Sequence, residues 1–155
     1  MGKRRRAREL ALQSLYQWDF LGSEDGEPSQ IFWESQRDPE EIKTFALEIV
    51  NGVKAKKEEI DQIIETYSKH WKLYRMTRID RNILRISVYE LISCPDIPPK
   101  VSIDEAIEIA KKFGTSESSG FINGILDQIG KRLGVFNSRK SQGPSHEPSS
   151  DRDPG

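Results

Sequence analysis

The chain is poor in the residues that most often mark a reactive or metal-bearing site. Its one thiol, Cys94, cannot form an internal disulfide, and the two histidines, His70 and His146, stand too far apart to form a metal-ligand cluster. A lone thiol suits a reducing compartment. No apolar run approaches the roughly 18 residues of a membrane span. The basic start is not followed by a signal-peptide core, because Glu9, Gln13 and Gln17 interrupt it. Phosphate-binding glycine loops and dinucleotide fingerprints are missing. Acid pairs such as Glu40-Glu41 and Glu58-Glu59 read as helix-start or solvated charges, not as a general acid with its base. No segment shows the period-two alternation of a strand. These absences point to a cytoplasmic, all-α binding protein with no membrane span, no cofactor, no metal and no enzymatic activity.

Charge is balanced in total and uneven in place. Lysine and arginine number 24 against 25 aspartates and glutamates, yet residues 1 to 8 hold Lys3, Arg4, Arg5, Arg6 and Arg8 with no acid. Without those five, 19 basic face 25 acidic residues, so an acidic body carries a basic tip. Such asymmetry suggests an anionic partner at one place.

The most organised stretch runs from Thr77 to Ser93. Ile79, Ile83, Leu84, Ile86, Val88, Leu91 and Ile92 recur at helical spacing and cover more than one stripe, the pattern of a central helix packed on several sides. Thr77 supplies a capping hydroxyl with Asp80 three residues on, and Pro95, Pro98 and Pro99 stop the helix. Before it, helices are expected from Arg4 to Leu21, from Ser29 to Gln36, from an Asp38-Pro39-Glu40-Glu41 start through Val53, and from Lys57 to His70; Gly22 to Pro28 reads as a turn-rich loop. After it, Ser102 to Glu105 reads as a capping box opening a helix that ends at Gly114, and Ser116 as the cap of a last helix with Phe121, Ile122, Ile125, Leu126, Ile129 and Leu133. Gly124 inside that pattern suggests close packing or close approach of a ligand. The fold class is therefore about seven helices in two small bundles, divided near residues 1 to 75 and 76 to 136, with a disordered tail from 137 to 155.

The first helix carries the binding signal. Ala7, Leu10, Ala11, Ser14, Trp18 and Leu21 share one face, while Arg5, Leu12 and Tyr16 fall opposite, with Arg8 at their flank. Cations in a first turn oppose the helix dipole, so folding alone would not choose them. Free N–H groups and several arginines do suit phosphate oxygens, although a solvated terminus or an arginine-rich presequence would share the composition. Tyr16 fits base stacking or packing against a second neighbour equally well. Cys94, without a partner, reads as a structural thiol.

Read in series, these segments resemble the NusB family of bacterial transcription antitermination factors. Arg4-Arg5-Arg6-Ala7-Arg8-Glu9 with Leu12-Gln13 and Leu15-Tyr16 is similar to the family's opening, and Asp80-Arg81-Asn82-Ile83-Leu84-Arg85 with Tyr89-Glu90-Leu91 to its middle motif. Val101 to Glu108, Ala110 to Gly114 and Phe121-Ile122-Asn123-Gly124-Ile125-Leu126-Asp127 resemble its C-terminal signature in order and spacing. The likeness spans residues 4 to 133.

The resemblance implies a two-subdomain helical protein that binds the single-stranded boxA RNA of nascent ribosomal RNA leaders. It implies a heterodimer with the ribosomal protein that acts as NusE, within an RNA polymerase antitermination complex, and in some members a homodimer. Carried over by position, Lys3, Arg4, Arg5, Arg6, Arg8 and Tyr16 fall to RNA, Glu117 and Phe121 lie beside it, and Asp80 and Arg81 fall to the protein partner. Two other readings compete. A NusB-like domain also precedes the catalytic part of some ribosomal RNA cytosine methyltransferases, but no cofactor-binding half or catalytic cysteine motif follows here. A helical adaptor with an incidental basic start is the second.

Overall fold

A computed structural model describes residues 2–21, 30–69 and 71–134. Seven helices make up the described residues, in the order α1 (Gly2–Leu21), α2 (Gln30–Ser35), α3 (Glu40–Ala55), α4 (Lys57–Tyr67), α5 (Arg78–Ser93), α6 (Pro99–Phe113) and α7 (Ser118–Leu133), with one 3-10 turn at Leu73–Arg75 before α5. No strand occurs among them. The expected loop from Gly22 to Pro28 and the tail from 137 lie outside the described residues, whereas the fourth helix stops at Tyr67, short of the expected His70, because Lys69 turns into the left-handed region.

The central position expected for Thr77 to Ser93 is realised in α5, which packs against α1, α3, α4, α6 and α7. Ten of its residues are buried, five of them polar or charged: Asp80, Asn82, Arg85, Ser87 and Glu90. The Thr77 hydroxyl accepts the Asp80 N–H at 3.0 Å, so the start is capped as its sequence suggests. Packing on every side explains the broad apolar pattern.

One main cluster of buried apolar side chains draws Leu12 and Leu15 from α1, Val50 and Val53 from α3, Ile60 and Ile64 from α4, Leu84 and Leu91 from α5, Ile109 from α6, and Ile122 and Leu126 from α7. A smaller cluster joins Ala7 and Leu10 to Ile42 and Ala46, with Trp33 and Phe45 half-buried at its edge. Helix α1 therefore needs two apolar stripes. Leu12, expected on the outer face, is buried because α1 lies between α3 and α5.

Gly52 sets the spacing of α3 over α5. A β-carbon at that position would lie 2.3 Å from the Tyr89 ring, so the ring fills the space a side chain would take. Gly124 is different. Nothing lies within 4 Å of a β-carbon built there, and the residue is exposed, so it does not serve close packing within the chain.

Three helix starts differ from their sequence patterns. Helix α6 begins at Pro99, with Pro98 at the cap position, one turn before the expected capping box. Ser102 is instead buried inside the helix and donates its hydroxyl to Glu90 at 2.7 Å, while Glu105 turns to Arg5. Asp38 makes no cap hydrogen bond to α3 and pairs with Arg6. Before α7, the Thr115 N–H is held by the Ser118 hydroxyl and the Glu117 N–H by the Thr115 hydroxyl, and Ser116 caps nothing.

Candidate nucleic-acid interface

The basic residues of α1 all have partners within the chain, and the partners differ in depth. Arg8 is buried and donates Nε and Nη2 to the two carboxylate oxygens of Glu90 at 2.7 and 3.0 Å. Its side chain is 6% exposed and that of Glu90 3%, so this pair does not face solvent. Arg8 was expected on the flank of the outer surface. A buried acid on α5 draws it inward, because an unpaired guanidinium could not be buried at acceptable cost.

The remaining four stay at the surface. Arg5 grips Glu105 of α6 through Nε at 2.7 Å and Nη2 at 2.9 Å. Arg6 holds Asp38 at 2.8 and 3.2 Å and reaches Glu9 at 3.4 Å. Lys3 meets Glu41 of α3 at 2.9 Å. Arg4 lies over the Phe45 ring, 4.5 Å from its centroid, a cation–π arrangement. Hydrogen bonds from Arg5 hold the Glu105 carboxyl below the usual carboxylate range against a smaller opposing effect of burial, and Arg6 does the same for Asp38. Folding thus does use the cations in the first turns, through tertiary acids that the helix-dipole argument does not consider.

Further along α1, Tyr16 is exposed at 37% and Phe20 at 60%, with the Arg78 guanidinium 5.0 Å above the Phe20 ring. The pairs Arg5–Glu105 and Glu9–Lys112 show that α1 and α6 run in the same direction. The corner between α6 and α7 therefore lies beyond Glu9, toward Tyr16. Glu117 is exposed at that corner, and Phe121 follows, half-buried with its ring edge-on to Trp71 at 5.8 Å. Trp71, Phe20, Arg78 and Lys112 border the same surface and carry no signal in the sequence that marks them for it. Arg78 and Lys112 lie within recognised segments and their spacing does not single them out, and Trp71 precedes the central helix with no periodic pattern of its own.

The pair assigned to a protein partner proves to be mostly internal. Arg81 donates Nε and Nη2 to Asp19 at 2.6 and 2.8 Å and Nη1 to the Leu73 and Met76 carbonyls at 3.2 and 3.3 Å. Asn82 and Arg85 also reach Asp19, at 2.9 and 3.1 Å, and Arg85 clasps Asp61 at 2.8 and 3.1 Å. Burial pushes the Asp19 carboxyl up, but hydrogen bonds from Arg81 and Asn82, with the charges of Arg85 and Arg81, outweigh it and hold the group below the usual range. Asp80 is 8% exposed, and its Oδ1 is buried without a hydrogen-bond partner.

Nothing in the described residues gathers three or more histidine, cysteine, aspartate or glutamate side chains in a way that could hold a metal. No helix among them is long and apolar enough to cross a membrane. Burial, with the nearby Glu90 charge, pushes the Cys94 thiol up, against nucleophilic use.

Comparison with known proteins gives the family of the chain. Residues 5–131 match the NusB family. The transcription antitermination protein NusB of Desulfatibacillum aliphaticivorans is 51% identical over 134 residues, covering 86% of this chain and 94% of the relative. Among solved structures, NusB of T. maritima superposes with a TM-score of 0.76 at 40% identity, covering 86% of this chain and 96% of the other. A chain from a crystal structure of antitermination factors NusB and NusE in complex with double-stranded RNA gives a TM-score of 0.73 at 31% identity, over 85% and 98% of the two chains. The chain belongs to the NusB family of transcription antitermination proteins.

Proposed function

We propose that this protein binds the single-stranded boxA element of nascent ribosomal RNA together with the ribosomal protein acting as NusE, and that the pair joins an RNA polymerase antitermination complex. Lys3, Arg4, Arg5 and Arg6 meet phosphates, Tyr16 and Phe121 offer rings to bases, and Glu117 lies beside the RNA. Arg8 acts from behind, fixing α1 to α5. The surface around Asp80 receives the protein partner, with Arg81 holding the start of α5 in place through Asp19. A homodimer covering the same face would compete with RNA.

The observation that carries this reading is the run of surface cations on the first turns of α1, continued along the same helix by exposed Tyr16. Family membership and the relative solved with NusE and RNA support it. The test is fluorescence anisotropy with a boxA oligonucleotide and a scrambled control, with and without the NusE-type partner, over a salt series. Tighter, sequence-dependent binding when the partner is added is expected, with loss when Tyr16 or Phe121 is changed to Ala. Equal weak binding to both RNAs, unmoved by the partner, would favour the helical adaptor, a reading to which the internal pairing of the arginines lends weight.

A further inference from the structure

Lys3, Arg5 and Arg6 are not bare cations awaiting phosphate. Their acids come from distant parts of the chain: Asp38 and Glu41 sit at the start of α3, and Glu105 is in α6, between 32 and 100 residues away in sequence. Two of the three contacts are two-pronged, the geometry a guanidinium would otherwise offer to a phosphate. All three pairs remain partly open, with side-chain exposures of 65% and 55% for Lys3–Glu41, against the closed Arg8–Glu90 pair of the same helix. The Lys3–Glu41 pair, the most open of the three, adds little to folding. All three are within reach of a ligand.

Resting on the RNA-binding reading above, we infer that Glu41, Asp38 and Glu105 are specificity-determining residues: as built-in counter-ions they suppress sequence-independent attraction of RNA to α1. A phosphate that takes a guanidinium from its carboxylate gains one ion pair and breaks another. The freed carboxylate then gathers a cation from solution, so fewer ions are released in total and the electrostatic driving force shrinks. Stacking on Tyr16 and Phe121 displaces no carboxylate. An arbitrary RNA lies across all three pairs and opens each of them, whereas an RNA seated through its bases on Tyr16 and Phe121 opens only the pairs that its fixed path meets, so the penalty falls more heavily on the arbitrary one.

The test uses the full chain with Glu41→Gln, Asp38→Asn and Glu105→Gln, singly and together, against a scrambled RNA and a boxA RNA across a salt series. In the triple variant the affinity for scrambled RNA is expected to rise about tenfold at low salt. The slope of log affinity against log salt should steepen by about 2, three phosphate contacts at roughly 0.7 each. The preference for boxA should fall. Unchanged or weaker binding to scrambled RNA, in a variant that melts like the parent, would overturn the inference and make the acids mere supports for the arginines. If the triple variant melts early, E41Q decides alone: its pair is open, and a rise of about twofold is expected where no rise overturns it. Failure of the parent reading is separate, because it shows in the unmodified chain as equal affinity for boxA and scrambled RNA with the partner present.

Discussion

The two ends of α1 handle charge in opposite ways. Near its start, cations on α1 each take an acid from elsewhere in the chain: Lys3 from Glu41, Arg5 from Glu105 and Arg6 from Asp38 at the surface, and Arg8 from Glu90 in the interior. Near its end a single acid, Asp19, gathers Arg81, Asn82 and Arg85 from α5. Both ends thereby fasten α1 to α5, which run antiparallel, but only the first end leaves charged groups in the open. One end can meet a ligand while the other is closed around its own network. A motif rich in arginine is thus divided by its surroundings into supports and contacts, and helix periodicity alone does not make the division.

Removing the closed link at the first end should have the largest effect. Arg8→Ala leaves Glu90 buried and short of a partner, and a loss of about 3 to 5 kcal/mol in urea denaturation is expected. Asp19→Ala at the other end should cost less, about 2 to 3 kcal/mol in the same measurement, because Arg85 keeps Asp61 while Arg81 loses a charged acceptor. A loss equal to that of Arg8→Ala would mean that the ends are not graded by burial.

Acidity sharpens the contrast further. The folded-state pKa of Asp19 is depressed, so its stabilisation is present above the ordinary carboxylate value and is lost as pH falls through the lower folded value. Thermal melting followed from neutral to strongly acid pH should show Asp19→Asn losing less stability than the parent on acidification, with the difference confined to the region below about pH 4. The smallest effect is expected for Lys3→Ala. Its pair with Glu41 is mostly exposed, so the melting midpoint should not move measurably, and RNA binding should weaken only slightly with its salt slope nearly unchanged, because Glu41 already offsets the ion release at that contact.

Much of this arrangement could be read before any coordinates. The central helix declared itself because Ile83, Leu84, Ile86, Val88 and Leu91 spread well beyond a single stripe, and Thr77 marks its start through a bond only three residues long. What could not be read was where a local pattern met a distant partner. Ser102 and Glu105 have capping-box spacing, but three residues is also one turn of a continuing helix, and Glu90 and Arg5 claim them from elsewhere. Asp38 looks like a cap until Arg6 is placed beside it. The basic surface was legible in position and not in state. Its residues were visible in the motif, while their counter-ions lay up to 100 residues away. Family resemblance named Asp80 and Arg81 together, yet their side chains do different work: Arg81 locks the interior, and Asp80 retains an unpaired oxygen.

The contact between Gly52 and the Tyr89 ring acts as a gauge block between two helices. Because the ring already occupies the place of a β-carbon, position 52 has a vocabulary of one letter for as long as position 89 holds a large aromatic side chain. A library randomised at 52 alone should return glycine, despite the cost of about 1 kcal/mol that glycine carries inside a helix. Randomising both positions should admit alanine at 52 together with a smaller side chain at 89. The two residues then form a single unit of inheritance, written 37 positions apart.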